Sequence, residues 1–137
     1  MRIVFDTNIW VSFLIGKRLA VFQSFFERPD IEIYYCDELE REFLNVAHRD
    51  KILKYVDEKQ IQRVYQLMVN YCYRCGIKRN CEIFVRDAKD TYLLTLSDTV
   101  HADYLISGDA DLTALGQHNQ TRIMDFGSAL AVIGEPI

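Results

Sequence analysis

The chain has only two prolines and six glycines in 137 residues, which excludes collagen-like and low-complexity chains. No apolar run approaches the roughly 20 residues needed to span a bilayer. Asp6 stands where a signal peptide needs an unbroken apolar stretch. The expectation is a cytoplasmic protein with no membrane association. Histidine is scarce, and His48, His101 and His118 are scattered, so no histidine-centred site suggests itself. There is also no excess of positive charge. Sixteen Lys and Arg stand against 20 Asp and Glu, for a net charge of −4. That balance argues against a general polyanion binder, unless several acids converge on one site and hold a divalent cation that inverts the local field. Cysteine is present but not in a useful pattern. Cys72, Cys75 and Cys81 read C-x2-C-x5-C, and Cys36 lies far upstream. A zinc site wants a second close pair, and disulfides want a secreted context, so ordinary reduced thiols are expected.

What is there is a foldable chain. Half the residues are hydrophobic and 26% are charged, which excludes disorder. The length predicts a single domain over residues 1–137, able to bury roughly two thirds of its unfolded surface. Ile3-Val4-Phe5 reads as a buried strand ending at Asp6. Asn8 to Ile15 is apolar and closed by Gly16, and Leu19, Phe22, Phe25 and Phe26 recur at helical spacing up to Pro29. Ile31 to Tyr35 reads as a second strand. Asp37 is placed to cap a helix with a Leu39, Phe43, Val46, Ala47 stripe. A longer helix is expected from Asp57 to Cys75, carrying Ile61, Val64, Tyr65 and Met68, with Gly76 as its stop. Glu82 to Val85 suits a short strand. Asp87 or Ala88 opens a helix whose buried stripe is Tyr92, Leu93, Leu96 and Val100. Tyr104 to Ser107 is the clearest strand, Gly108-Asp109 turns out of it, and Asp111 to Leu115 is a short helix. Arg122-Ile123-Met124 and a helix over 126–132 complete the chain. This alternation predicts an α/β fold with a mostly parallel sheet and helices on both faces. In such sheets ligands bind beyond the carboxyl ends of the strands.

Acids stand at those ends. Asp6 follows the first strand, and Asp109 and Asp111 follow the strand that ends near Ser107. Asp87 and Asp90 open the helix before that strand, and Glu42 lies on the helix after the second strand. Singly, most have an ordinary reading as helix caps, turn residues or solvated carboxylates. Asp6 is the exception, because a carboxylate directly after a buried strand is costly unless paired or liganded. Together they form an oxygen-only set suited to Mg²⁺ or Mn²⁺. Basic residues cluster near Glu42, with Arg41, Arg49, Lys51 and Lys54 as candidate phosphate contacts. Arg74, Lys78 and Arg79 form a second group, and Lys17-Arg18 a third. Tyr34, Tyr35 and Tyr55 are candidates for base stacking, with core packing the stronger reading of the first two.

Four stretches together resemble a PIN domain. They are Ile3-Val-Phe-Asp6-Thr-Asn8-Ile-Trp, Asp37-Glu-Leu-Glu-Arg-Glu42-Phe-Leu, Arg86-Asp87-Ala-Lys-Asp90-Thr-Tyr-Leu and Ala102-Asp-Tyr-Leu-Ile-Ser107-Gly-Asp109-Ala-Asp111-Leu. The sequence resembles more closely the toxin components related to VapC. The resemblance implies a three-layer α/β/α fold with a central sheet of four or five strands. It implies a metal-dependent endoribonuclease using Mg²⁺ or Mn²⁺, with Asp6, Glu42, Asp90 and Asp109 as catalytic acids. Asp6, Asp90, Asp109 and Asp111 would hold the metal, with Asn8 and Ser107 as supporting polar residues. Glu38 and Glu40 are rivals for Glu42, and Asp87 for Asp90. The family often has proline after the first acid of the third motif, where this chain has Ala88. RNA as substrate, a cognate antitoxin and a homodimer are the partners the resemblance implies; Phe22, Phe25 and Phe26 offer one face for the dimer, and a buried core explains the same residues. A PIN nuclease of RNA processing outside a toxin system is a further possibility under the same resemblance. A non-catalytic metal- or protein-binding module is the alternative from another class. A phosphatase with Asp6 as nucleophile wants Asp-x-Asp and meets Asn8 instead.

Overall fold

A computed structural model of the chain describes residues 1–16, 19–77 and 88–134, with residues 19–21 and 88–90 described in backbone only. The elements run β1 (Arg2–Phe5), α1 (Thr7–Ile15), α2 (Leu19–Glu27), β2 (Glu32–Tyr35), α3 (Asp37–Ala47), α4 (Asp50–Leu53) and α5 (Glu58–Tyr71). They continue with β3 (Tyr73–Arg74), α6 (Ala88–Val100), β4 (Tyr104–Ile106), α7 (Ala110–Thr113), β5 (Gln117–His118), β6 (Thr121–Met124) and α8 (Phe126–Ile133). The strands form one sheet in the order β3-β2-β1-β4-β6-β5. All neighbours are parallel except β5 and β6. The chain builds outward from β1 to β2 and β3, then returns to the other side of β1 for β4 and β6. The order therefore reverses between β1 and β4, and the carboxyl ends of these two strands flank the crevice where such sheets bind ligands.

Both faces of the centre are covered. Side chains alternate across a strand, yet Ile3, Val4 and Phe5 are all fully buried. Phe5 meets Trp10, Phe13, Phe22, Phe25 and Phe126, mostly edge to face, with ring centroids 5.7 to 6.4 Å apart. Phe22 and Phe25 are fully buried in this cluster, so they are core and offer no face to a partner. Helix α6 is buried nearly all round from Leu93 to Ser97. Its polar residues are tolerated because Thr95 and Ser97 turn their hydroxyls back onto the carbonyls of Thr91 and Leu93, at 2.9 and 2.8 Å.

Among the described residues the sheet has six strands rather than four or five. The two additions, β3 and β5, are two residues long and lie at the edges. The expected helix to Cys75 ends earlier, at Tyr71. Cys72 turns extended, Tyr73 and Arg74 pair with Tyr34 and Tyr35, and the Cys75 N–H donates to the Tyr35 carbonyl at 2.8 Å. Open hydrogen-bonding groups on the β2 edge outcompete continuation of the helix. Cys36, not Asp37, occupies the cap position of α3, and Asp37 is the first helical residue. The predicted strand at 82–85 lies outside the described residues, as do Asp87, Lys17, Arg18, Lys78, Arg79 and Cys81. No helix among the described residues is long and apolar enough to cross a membrane.

Candidate functional site

Asp6 sits where β1 ends and α1 begins. Its N–H donates to the Ile106 carbonyl at 2.9 Å, extending the β1–β4 ladder by one residue. Its carboxylate makes no cap to α1, although Asp6 holds the cap position. The side chain is fully buried and accepts the Ser107 hydroxyl at 2.6 Å on Oδ2. Ser107, also fully buried, follows β4, and its oxygen accepts the Asp109 N–H at 2.9 Å. Asp109 Oδ1 accepts the Asp111 N–H at 2.9 Å, so Asp109 caps the four-residue α7. One chain of hydrogen bonds thus links Asp6 to the Gly-Asp-Ala-Asp turn across the strand-order reversal. Asp109 is half-buried, while Asp111 is exposed.

A second chain approaches from the helices. Glu42, half-buried on α3, accepts the Tyr92 hydroxyl at 2.5 Å on Oε2. Tyr92 is on the second turn of α6, and its oxygen lies 3.3 Å from the Thr7 hydroxyl. A phenol has one proton. Since that proton goes to Glu42, Thr7 is the donor in the other contact. Thr7 is buried and directly follows Asp6. Burial, and then the Glu42 carboxylate, push the Tyr92 hydroxyl far above the ordinary tyrosine range, with the Asp6 charge adding to the effect. The Tyr92 hydroxyl therefore lies within the field of both carboxylates.

The three glutamates of α3 separate by partner. Glu40 accepts from Tyr65 at 2.5 Å and pairs with Arg74 at 2.8 Å, and Arg74 also pairs with Asp37 and lies 5.0 Å over the Tyr35 ring. Glu38 lies 3.9 Å from Arg41. Glu42 is the one joined to residues of α1 and α6. Asp90 lies in the first turn of α6, and its side chain is outside the described residues. Among the described residues no three acids, histidines or cysteines form a metal-holding group. The donors gathered here are nonetheless carboxylates and hydroxyls alone, one of them a fully buried carboxylate, which is the chemistry of a hard divalent cation.

The other sequence candidates stand apart. Asn8 is exposed on the first turn of α1. Arg41, Arg49 and Lys51 are all exposed. Arg41 lines an open groove of about 450 Å³ with Asp37, Glu40 and Leu44. These recur at helical spacing, which puts the groove on a different face of α3 from Glu42. Tyr35 is buried, Tyr34 packs on Tyr73, and Tyr55 is exposed. Burial pushes the Cys36 thiol up to about 12 and the Cys72 thiol well above its usual range, so neither is a nucleophile. Sequence reading missed Thr7 and Tyr92. Tyr92 fits the buried stripe of its helix, and only the partner across the fold shows what its hydroxyl does.

A profile of the PIN domain matches residues 2–111, from β1 through Asp111. No curated protein matches the chain.

Proposed function

The chain belongs to the PIN domain family, whose members are generally nucleases and usually use divalent metal ions, and from that premise we propose that it is an Mg²⁺- or Mn²⁺-dependent endoribonuclease. The observation that carries this reading is the buried Asp6 carboxylate, tied through Ser107 to Asp109 at the strand-order reversal. Asp6 and Asp109 hold the ion there, with Asp90 and Asp111 as the further ligands and Glu42 closing the pocket from α3. A divalent ion, when bound, supplies Lewis acidity that activates water and offsets charge on the phosphate in an in-line displacement. Ser107 fixes the rotamer of Asp6 and the backbone of Asp109 together, so the two acids keep their spacing. Arg41, Arg49 and Lys51, which stand apart from these acids, meet phosphates further along the RNA, and Asn8, exposed in the first turn of α1, lends a hydrogen bond.

The physiological role we propose is the toxin of a toxin–antitoxin pair, supported by the resemblance to VapC-like toxins. It brings a cognate antitoxin and a homodimer as partners. The direct test is cleavage of single-stranded RNA by purified protein with Mn²⁺. Cleavage is expected, with loss on chelation and a fall of about a hundredfold in Asp109→Asn. Intact RNA in the presence of Mn²⁺ refutes the nuclease. The toxin role is checked separately: induced expression arrests growth, Asp6→Asn relieves the arrest, and a small protein encoded next to this one blocks cleavage.

A further inference from the structure

The geometry points to Tyr92 as a positioning residue that aims Glu42 at the acidic pocket. Glu42 has one oxygen engaged, Oε2, which accepts the Tyr92 hydroxyl at 2.5 Å. Its Oε1 has no hydrogen-bond partner among the described residues. A carboxylate on a helix surface ordinarily samples several rotamers. Here one oxygen is anchored, so the other is presented in a set direction. The anchor is itself anchored: Thr7, the residue after Asp6, donates to the Tyr92 oxygen across 3.3 Å. Thr7 is 1% exposed and sits in the first turn of α1, whose backbone continues directly from the buried Asp6.

The relay therefore runs Thr7 to Tyr92 to Glu42, and draws on three helices. It does for Glu42 what Ser107 does for Asp6. A merely structural tyrosine would need only some acceptor for its hydroxyl. This one uses its single proton on the α3 acid joined to the β1 end of the sheet, rather than on Glu38 or Glu40. The proposal rests on the metal-dependent reading given above, because an aimed carboxylate oxygen matters for a cation that it helps to hold.

The test is a Mn²⁺ titration by calorimetry of the full chain, with RNA cleavage measured in parallel. Tyr92→Phe keeps the ring and removes only the hydroxyl. Its Mn²⁺ affinity is expected to fall roughly tenfold, the usual effect of removing a partner that orients a ligand. In a Glu42→Gln background, adding Tyr92→Phe is expected to produce no further loss, since both changes act through one carboxylate. A structural role alone would lower the melting temperature while leaving the affinity in place. The proposal is overturned if Tyr92→Phe binds Mn²⁺ as tightly as the parent, or if its loss persists in full beside Glu42→Gln. If Tyr92→Phe does not fold, Thr7→Val carries the test, and unchanged affinity in that variant overturns the proposal. A parent protein that binds Mn²⁺ but leaves RNA intact refutes the nuclease and leaves the titration to judge Tyr92. A parent that binds no Mn²⁺ refutes both.

Discussion

Ser107 has one hydroxyl and uses both of its capacities, donating to Asp6 and accepting from Asp109, in a fully buried position. Removing it takes a hydrogen bond from a buried carboxylate and a partner from a backbone N–H. Ser107→Ala is expected to cost about 2 kcal/mol, read from the urea midpoint of the metal-free protein. An unchanged midpoint would mean that water replaces the hydroxyl without loss. Ser107 and Asp6 were legible in the sequence because each follows a short apolar run, and the end of a buried strand is a special place in a parallel sheet. Tyr92 was not legible in its role. Its spacing with Leu93, Leu96 and Val100 is accounted for by burial alone, and a hydroxyl at the end of an apolar ring leaves no periodic trace. In the sequence, register against the motif favours Glu42 over Glu40. The structure separates them by partners that no local pattern contains: Arg74 and Tyr65 for Glu40, Tyr92 for Glu42.

Between elements, the joint from α3 to α5 has a pH-dependent clasp. His48 closes α3, with Nδ1 2.7 Å from the Leu44 carbonyl and Nε2 2.7 Å from Glu58 Oε2 at the start of α5. Both ring nitrogens face acceptors, which only the imidazolium satisfies as a double donor. The Leu44 carbonyl first, and then Glu58, raise His48 above its ordinary 6.5. Gln62 and then His48 lower Glu58 below its ordinary 4.5. The histidine contribution is complete below 6.5 and is lost as pH rises through the raised value. The Glu58 contribution is present above 4.5 and lost as pH falls through the lowered value. The clasp is therefore strongest between the two. Both side chains are exposed, so the effect is small. The melting temperature of the parent is expected to exceed that of His48→Gln by more at about pH 5.5 than at about pH 8.5, and an equal gap at both would mean the pair is not coupled to protonation. Neither partner was visible as a pair, because the contact spans the short α4. The stripe of α5 was visible from Ile61 to Met68, whereas its end was not. That end is set by pairing of Tyr73 and Arg74 with β2, a contact between segments some 40 residues apart in the chain.

For the molecule as a whole, alternating strands and helices made the α/β class legible, and short apolar runs located the central parallel strands. The two edge strands escaped notice because two residues carry no period. The net charge of −4 bears on how such a surface meets RNA. Acids clustered at the carboxyl ends of β1 and β4 repel phosphate unless a cation sits among them. The basic candidates are few and stand apart from those acids. Arg41 is already 3.9 Å from Glu38, and Arg49 and Lys51 are exposed at the start of α4. Each phosphate neutralised on a single strand contributes about −0.7 to the slope of log affinity against log salt, so three contacts give a slope near −2. Binding of a short RNA to Asp109→Asn, followed by fluorescence anisotropy with Mn²⁺ from low to moderate salt, is expected to show that shallow slope. Replacing Arg41, Arg49 and Lys51 together by Gln should flatten it towards zero and weaken binding at low salt. A slope steeper than about −4 would require at least three more cationic contacts than these residues supply, and would move the RNA path elsewhere on the surface.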